Sequence, residues 1–323
     1  MHCKGIRRLA LLCCLGIACL PLGGCSSAQN DRLRIAVIVK ATDSDFWYSV
    51  QSGVSAAATE YNVEVSFEGP ASEEDSSTPI AMIERAVENG ADAIVLSAID
   101  YERVAASVTE AARRGVRVVA IDSAVGSPAV SRFIGTDNYA AGRTAGEAVR
   151  QCVPAGTPLY VGLVNFAEET ENGRQRELGL REYLAEYPEI HIAAAVHADS
   201  NTKSAAAAAS ALLREHPEIN VLVGLNEWMS LGVGYAIARS GAAGRVHGIG
   251  FDANTVSVGM LETGEMDALI VQNPFAIGYL GVQYAAQLVS GEAEPGEAIY
   301  TTVAVANREN LYDENMQKLL FRF

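Results

Sequence analysis

The sequence has little of what a membrane-spanning protein requires. Its N-terminal apolar run, residues 9–22, is about 14 residues long, whereas a helix needs about 20 apolar residues to cross a bilayer. The run follows Lys4, Arg7 and Arg8 and ends in small residues, which is typical of a cleavable export signal. We therefore predict that residues 1–24 are a signal peptide and that the rest of the chain works outside the cytoplasm.

Cysteine is scarce beyond this segment, which holds four of the six cysteines. Residues 22–25, LGGC, resemble the lipobox of bacterial lipoproteins. The resemblance implies that Cys25 is the lipidated first residue and that residues 25–32 tether the protein to the membrane. A plain secretory signal with an incidental cysteine, or lipidation at Cys19, is the alternative. With Cys25 lipidated, Cys152 is a lone thiol, so neither an intrachain disulfide nor a thiolate metal cluster can form.

Positive charge is scarce as well. The chain has 24 Lys and Arg residues against 39 Asp and Glu, and its net charge is -15 at pH 7. A protein that binds nucleic acid needs clustered cations to displace counterions from the phosphates. We therefore expect no nucleic-acid partner.

The short motifs of common catalytic sites are also absent. No G-x-G-x-x-G follows the first predicted strand, and the sequence contains no P-loop, H-E-x-x-H or G-x-S-x-G pattern. The five histidines have no metal-ligand spacing. We therefore expect a protein that has no cofactor and no metal site and that is not an enzyme.

The chain does contain apolar, β-branched runs that alternate with helical segments. Residues 34–39, RIAVIV, are typical of a strand that is buried on both faces of a parallel sheet. The alternation resumes at residue 138 without a low-complexity linker, and its last predicted strand covers residues 300–305. Because parallel strands need helical crossovers, the pattern predicts an α/β fold with two similar lobes joined by hinge strands.

Polar residues recur directly after the predicted strands, where open α/β sheets bind their ligands. Asp122, Asn226, Asp252 and Gln272 each follow a strand. A ring of such carboxylates and carboxamides can satisfy several hydroxyl groups at once, although each residue could instead cap a helix or close an Asx turn. We predict that together they line a cleft between the lobes.

Two further strand-end loops carry aromatic and basic candidates. Phe46 and Trp47 fall in the first turn of a helix, where two adjacent rings cannot both face the core, so we predict at least one in the cleft. Arg174 and Arg176 follow a later strand, and we favour Arg174 as a bidentate donor to the ligand. The alternatives are two core aromatics and a solvated arginine.

The order of these motifs resembles that of the ribose and galactose type of periplasmic sugar-binding proteins, over residues 32–305. The matching segments are Asp45-Phe46-Trp47, Ala120-Ile121-Asp122, Ile134-Gly135-Thr136-Asp137-Asn138, Arg174-Gln175-Arg176, Asn226-Glu227-Trp228-Met229, Gly250-Phe251-Asp252 and Gln272-Asn273-Pro274. The resemblance implies two Rossmann-like lobes with parallel sheets, joined by three hinge segments near 135–138, 271–274 and 302. It implies a protein that binds a sugar and hands it to the membrane permease subunits of an ABC importer. We assume that the protein is a monomer.

The resemblance also implies boundaries and a ligand set. The N-terminal lobe is expected to comprise residues 33–136 and 273–301, and the C-terminal lobe residues 137–272 and 302–323. Phe46 and Trp47 are expected to sandwich the sugar, and the polar residues to hydrogen-bond it. The full predicted ligand set is Asp45, Phe46, Trp47, Asp122, Asp137, Arg174, Asn226, Asp252 and Gln272.

Three positions depart from the ribose binders. Ser123 stands where they commonly carry an arginine, Ser97 where they have an asparagine, and Ser200 at the position of a third stacking aromatic. The ligand could therefore be another pentose, a hexose or a polyol. The main alternative to transport is a sensor for a sugar or an autoinducer-2-like ligand, read by a chemoreceptor or a histidine kinase. A regulator like the lac repressor is disfavoured, because an export signal occupies the place of its DNA-binding helices.

Overall fold

Two six-stranded sheets, built mainly of parallel strands, form the framework of the protein. The structure, a computed structural model, describes residues 32–321. The predicted signal peptide, Cys25 and most of the predicted tether lie outside the described residues. From Leu33 onward the described chain forms one compact unit. The predicted α/β class with two Rossmann-like lobes is confirmed.

The first sheet and its helices come mainly from the first part of the chain. In chain order the elements are β1 (Arg34–Ile38), α1 (Asp45–Glu60), β2 (Glu64–Glu68), α2 (Thr78–Glu88), β3 (Ala93–Leu96), α3 (Ala105–Arg113), β4 (Arg117–Ile121) and β5 (Arg132–Gly135). Strands β1, β3 and β4 are buried over nearly their whole length. That burial explains their continuous apolar sequences, because helices cover both faces of the sheet.

The rest of the chain repeats this arrangement. Its elements are α4 (Asn138–Gln151), β6 (Leu159–Asn165), α5 (Glu171–Leu184), β7 (Ile190–His197), α6 (Thr202–Glu215), β8 (Val221–Gly224), α7 (Glu227–Arg239), β9 (His247–Phe251), α8 (Thr255–Thr263), β10 (Ala268–Val271), α9 (Pro274–Ser290), β11 (Ile299–Tyr300), β12 (Ala304–Asn307) and α10 (Glu314–Leu320). The strand orders are β2-β1-β3-β4-β5-β11 and β7-β6-β8-β9-β10-β12. The two lobes therefore share one topology, and they differ in that β11 runs parallel to β5 whereas β12 runs antiparallel to β10.

The chain passes between the sheets three times. After β5 it enters α4, which packs on α5 in the second lobe, and after β10 it enters α9, which packs on α1 in the first. The third passage separates β11 from β12. The prediction of one strand over residues 300–305 is therefore wrong, because this segment contributes a short strand to each sheet and crosses between the lobes in the middle.

Each lobe contains one pair of helices that meet through glycines. Gly53 of α1 faces α9 and Gly278 of α9 faces α1, and a Cβ at these positions would lie 2.0 and 2.1 Å from a backbone oxygen of the partner helix. Gly142 of α4 and Gly179 of α5 make the same contact in the second lobe, where a Cβ on Gly142 would lie 2.1 Å from the backbone oxygen of Arg176. The absence of a side chain at Gly142 thus allows the chain at Arg176 to approach α4 closely.

The C-terminal helix α10 was not predicted from the sequence. Its residues Met316 and Leu320 pack into the core of the second lobe. Across residues 32–321, no helix combines the length and the apolar character needed to span a membrane.

Candidate ligand site

A cavity of about 340 Å³ lies between the two sheets and receives side chains from both lobes. Six of the fourteen lining residues lie within two positions of the carboxyl end of a strand, and the others belong to the loops and helices that follow, which is the usual position for a ligand site in open α/β sheets. They are Lys40, Ser44, Phe46, Trp47, Glu73, Asp122, Phe166, Asn172, Arg176, Asn226, Glu227, Trp228, Asp252 and Gln272.

Asp122, which follows β4, carries the main polar group of the first lobe's wall. Its buried carboxylate lies 2.9 Å from Nζ of Lys40 and accepts a hydrogen bond of 2.9 Å from the hydroxyl of Ser97. Asn172 of the second lobe donates to the other carboxylate oxygen at 3.4 Å. The φ angle of Asp122 is 57°, in the left-handed region that aspartate tolerates better than most residues. Ser97, one of the departures noted above, therefore orients a cavity carboxylate.

Arg176 is the buried cation of the second lobe's wall, with 1% of its surface exposed. Its Nε donates to Oδ1 of Asn138 at 2.8 Å, its Nη1 donates to the backbone oxygen of Leu225 at 2.9 Å, and the guanidinium lies 4.6 Å from the ring centre of Phe251. Burial lowers the pKa of Arg176, although neighbouring carboxylates oppose the shift. Among the residues that the structure describes, nothing accepts a hydrogen bond from its Nη2. Because this nitrogen belongs to a cavity-lining side chain, it can donate to a ligand oxygen.

Asp252, which follows β9, supplies the acceptor that complements this donor. Its Oδ1 accepts a hydrogen bond of 2.7 Å from Nε2 of Gln272. Burial raises the pKa of Asp252, and the charge of Arg176 opposes that rise. A hydroxyl group placed between them could accept from Arg176 and donate to Asp252, since a hydroxyl does both.

Among the described residues, four aromatic side chains line the cavity, two from each lobe. The rings of Phe46 and Trp47 touch each other at a centroid distance of 5.0 Å and an angle of 87°. Two rings in edge-to-face contact cannot hold a ligand between them, so this pair does not form the sandwich that the resemblance implied. Phe166 and Trp228 lie in the opposite lobe. Stacking from both sides of the cleft therefore requires one ring from each lobe.

Two further carboxyl groups reach the cavity. Glu73 accepts hydrogen bonds from Nε1 of Trp47 at 3.0 Å and from the hydroxyl of Ser200, and burial raises its pKa. Glu227 accepts from Nδ2 of Asn254 at 2.9 Å, and burial raises its pKa to about 7. The Glu227 carboxyl therefore titrates near neutral pH. In the described part of the chain, no three His, Cys, Asp or Glu side chains are grouped as a metal ion would require.

Hydrogen bonds between the lobes close the cleft at its rim. The hydroxyl of Thr170 donates to the backbone oxygen of Ile99 at 3.0 Å. On another part of the rim, Nδ2 of Asn201 donates to Oε1 of Glu74 at 3.0 Å. The structure is therefore a closed form, in which loops from both lobes meet at the edge of the cavity.

The cavity wall includes six of the nine predicted ligand residues. These are Phe46, Trp47, Asp122, Asn226, Asp252 and Gln272. Asn226 has a second role, because its side chain also caps α7 by accepting from the backbone N–H of Met229 at 2.9 Å.

The other three predicted residues lie elsewhere. Arg174 is exposed and pairs with Glu171, whereas Arg176 lines the cavity, because residues two apart on a helix point about 200° from each other. The side chain of Asp137 caps α4 by accepting from the N–H of Ala140 at 2.9 Å. Asp45 begins α1 and lines a neighbouring cavity of about 460 Å³ instead.

Several lining residues were missed from the sequence. Lys40 and Phe166 stand directly beyond β1 and β6, so the strand-end rule could have found them. Glu227 and Trp228 follow the predicted Asn226 in the first turn of α7. Glu73 lies in the loop before α2, where no sequence pattern marked it.

Comparison with known proteins places this site in a family. The model of the periplasmic binding protein domain matches residues 35–293. The D-ribose/D-allose-binding protein of Pseudomonas aeruginosa is 27% identical over 290 residues, which are 86% of this chain and 89% of that protein. A carbohydrate transporter solute-binding protein from Agrobacterium radiobacter, in complex with D-arabinose, has a TM-score of 0.86 at 27% identity, covering 90% of this chain and 99% of that one. An ABC transporter solute-binding protein from Agrobacterium vitis with bound D-fucose has a TM-score of 0.85 at 29% identity, covering 89% and 100%. The protein therefore belongs to the periplasmic binding protein domain family, in agreement with the resemblance drawn from its motifs.

Proposed function

We propose that the protein captures a monosaccharide or a similar small polyol between its lobes and delivers it to an ABC transporter. The observation that carries this proposal is an unused hydrogen-bond donor in the cavity wall. Arg176 lines the cavity together with Asp252, and its buried Nη2 has no acceptor among the described residues. A polyhydroxylated ring presents the alternating donors and acceptors that such a pair recognises. The sugars bound by similar proteins agree with this ligand class.

The arrangement of polar and aromatic groups suits a sugar ring. Carboxylates and amides surround the edges of the cavity, while aromatic faces from both lobes can pack on the apolar C–H surfaces of the ring. We infer that Asp122, Asn226, Asp252 and Gln272 hydrogen-bond the ligand, as the sequence predicted, and that Arg176 takes the place given to Arg174. Asp137 caps α4, and Asp45 is the first residue of α1, next to its N-cap Ser44, so neither is assigned to the ligand.

Delivery would depend on hinge closure. We propose that residues 33–136 with 273–301 move as one lobe and residues 137–272 with 302–323 as the other, in line with the membership of the two sheets. The closed form then presents surfaces of both lobes to the permease subunits, and an open form does not. We propose that the protein acts as a monomer in this cycle.

Cys25 would hold the protein at the outer side of the membrane. The proposal is supported by the lipobox-like residues 22–25. Only residues 26–34 separate Cys25 from the start of the match to the family domain at residue 35. Replacement of Cys25 by Ser should move the protein from the membrane fraction to the soluble extracytoplasmic fraction. Retention of the Cys25→Ser variant in the membrane fraction would contradict the lipid anchor.

A thermal-shift screen tests the binding proposal. Residues 26–323 are mixed with D-ribose, D-allose, D-arabinose, D-fucose and xylitol, and with nucleosides and amino acids as controls. A sugar at 100 times its dissociation constant should stabilise the protein by about 2.7 kcal/mol. The binding proposal fails if no sugar or polyol shifts the melting temperature while one of the control classes does.

A transport assay tests delivery separately. Deletion of the gene should abolish high-affinity uptake of the labelled ligand, and expression of the intact chain should restore it. Unchanged uptake together with a lost chemotactic or transcriptional response to the same ligand would instead assign the protein to sensing.

A further inference from the structure

Thr136 lies in the first connection between the lobes and is not among the cavity-lining residues, but its hydroxyl is hydrogen-bonded to a residue that is. The buried hydroxyl donates to Oε1 of Gln272 at 2.6 Å, and Gln272 lies in the second connection. Nε2 of Gln272 in turn donates to Oδ1 of Asp252 at 2.7 Å. One branch of hydrogen bonds therefore runs from the first connection, through the second, to a carboxylate of the cavity wall.

A second branch starts from the backbone of the same residue. The carbonyl oxygen of Thr136 accepts from Nδ2 of Asn138 at 3.1 Å. Oδ1 of Asn138 accepts from Nε of Arg176 at 2.8 Å. Because both amide groups are used in this way, the Asn138 side chain can take only one orientation between its neighbours. The branch ends on the guanidinium of Arg176, a cavity-lining side chain whose buried Nη2 has no acceptor among the described residues.

The third connection is bonded to the same place. The backbone N–H of Thr301 donates to the carbonyl oxygen of Gly135 at 2.7 Å, next to Thr136. The three passages between the lobes therefore meet around residues 135–136. Movement of the lobes about these passages acts on both branches together.

We propose that Thr136 is a positioning residue that couples the hinge to the two groups reading the ligand, Asp252 and Arg176. The hydroxyl of Thr136 satisfies Oε1 of Gln272, so the amide presents Nε2 to Asp252 and its second N–H to the cavity. Without the hydroxyl, a buried amide oxygen loses its partner, and the amide has less reason to keep this orientation. In the second branch, Asn138 orients Arg176 in a similar way, because its Oδ1 accepts a hydrogen bond from Nε of the guanidinium. This inference rests on the proposed function, because it assigns a role within that same cleft.

The test compares Thr136→Val, which is nearly isosteric but has no hydroxyl, with Thr136→Ser, which keeps the hydroxyl. Thr144→Val is the matched control, because its hydroxyl bonds the backbone oxygen of Ala140 on the outer part of α4. Affinity is measured on the purified mature protein by calorimetry, with whichever of D-ribose, D-allose, D-arabinose or D-fucose binds the wild type most tightly. Thr136→Val should weaken binding on the order of tenfold, the size expected for an unsatisfied buried acceptor. Thr136→Ser should restore it, and Thr144→Val should leave it unchanged.

Two further readouts separate positioning from a general loss of stability. The double variant Thr136→Val/Gln272→Ala should bind no more weakly than Gln272→Ala alone, because both changes act on one branch. The side-chain amide signals of Gln272 in the nitrogen–proton NMR spectrum, assigned by their loss in Gln272→Glu, should shift in Thr136→Val without any ligand present.

The outcomes are distinct. If the wild type binds a sugar and Thr136→Val binds it equally well, with unchanged Gln272 signals, the positioning role is wrong even if the variant melts at a lower temperature. If the wild type binds no sugar, the proposed function fails, and the Gln272 signals still decide whether Thr136 holds the amide.

Discussion

Asp122 and Asp252 occupy equivalent positions in the two lobes. Each follows the fourth strand of its sheet, β4 or β9, and each has a left-handed backbone, with φ angles of 57° and 63°. Each carboxylate is buried and lies on the wall of the same cavity. A sharp backbone turn at the end of a central strand therefore places one carboxylate from each lobe on the cavity wall. The two differ in their partners, because Asp122 is paired with Lys40 and Asp252 accepts from Gln272.

Loss of the Asp122 carboxylate should destabilise the fold as well as the site. In Asp122→Ala, the buried ammonium of Lys40 loses its ion-pair partner. Alanine is also less stable than aspartate at the positive φ angle of this position. We expect a cost of about 3 kcal/mol or more, as for other broken buried ion pairs. Asp122→Asn should cost less, because asparagine tolerates the left-handed backbone. Urea unfolding at pH 7 measures both; equal losses for the two variants would show that the backbone conformation contributes nothing.

The two arginines of α5 should behave oppositely. Arg176→Ala removes the buried donor and should reduce sugar affinity by about 100-fold or more, in the range for a lost charged hydrogen bond with its unpaired partner. Arg174→Ala removes an exposed side chain that pairs with Glu171 and should change affinity by less than about twofold. Calorimetric titration of both variants checks this. A large effect at Arg174 with none at Arg176 would restore the original sequence-based choice.

Intrinsic fluorescence should report binding directly. The chain has two tryptophans, Trp47 and Trp228, and both line the cavity, one in each lobe. A ligand that displaces water from the cleft should shift the emission spectrum, because indole emission depends on the polarity around the ring. Trp47→Phe and Trp228→Phe should each retain part of the ligand-induced change. A binding ligand, detected by calorimetry, that leaves the wild-type spectrum unaltered would place both rings outside the occupied region.

Glu227 should make stability depend on pH. Its pKa is about 7 in the folded protein and 4.5 for an unperturbed carboxyl, so between these values the folded chain binds more protons than the unfolded chain. The stability contribution is therefore fully present below pH 4.5 and is lost as the pH rises through 7. Glu227→Gln removes this titration. Between pH 4.5 and pH 8 the wild type should therefore lose about 3 kcal/mol of unfolding free energy relative to the variant. Parallel curves for the two proteins would mean that Glu227 titrates normally.

A single methyl group on α4 should disturb the ligand site. Gly142→Ala places a Cβ 2.1 Å from the backbone oxygen of Arg176 and must push α4 and α5 apart. We expect lower stability and weaker sugar binding. Gly259→Ala in α8 is the control, since nothing lies within 4 Å of the added Cβ. That change should stabilise the helix by roughly 0.5–1 kcal/mol and leave affinity unaltered. Thermal melts and calorimetry of both variants would reveal whether the α4–α5 spacing matters to Arg176.

The strand-end residues could be predicted because parallel strands bring their carboxyl ends to one edge. Asp122, Asn226, Asp252 and Gln272 follow directly from this rule. The choice between Arg174 and Arg176 depended on helical phase instead. Arg176 shares a buried face with Gly173, Gly179 and Leu180, so the spacing i, i+3, i+6, i+7 could have identified it.

Other parts of the site had no local signal. Glu73 belongs to a loop, and its side chain meets Trp47 and Ser200 of the opposite lobe, which are distant in the chain. The perpendicular packing of Phe46 on Trp47 likewise depends on the tertiary structure. The sequence alone indicates only that the side chains of adjacent helical residues point about 100° apart.

The sequence by itself determined the α/β class, the repetition of one topology in two lobes and the strand ends at which polar groups gather. These properties follow from hydrophobic periodicity and from the geometry of parallel strands, which are local in the chain. Only the tertiary structure decided which side chains meet across the cleft, that Arg176 and not Arg174 reaches it, and that Thr136 is hydrogen-bonded to both Gln272 and Asn138. Those relationships join residues from distant segments, 136 positions apart for Thr136 and Gln272 and 181 for Phe46 and Glu227, and depend on how the two lobes close.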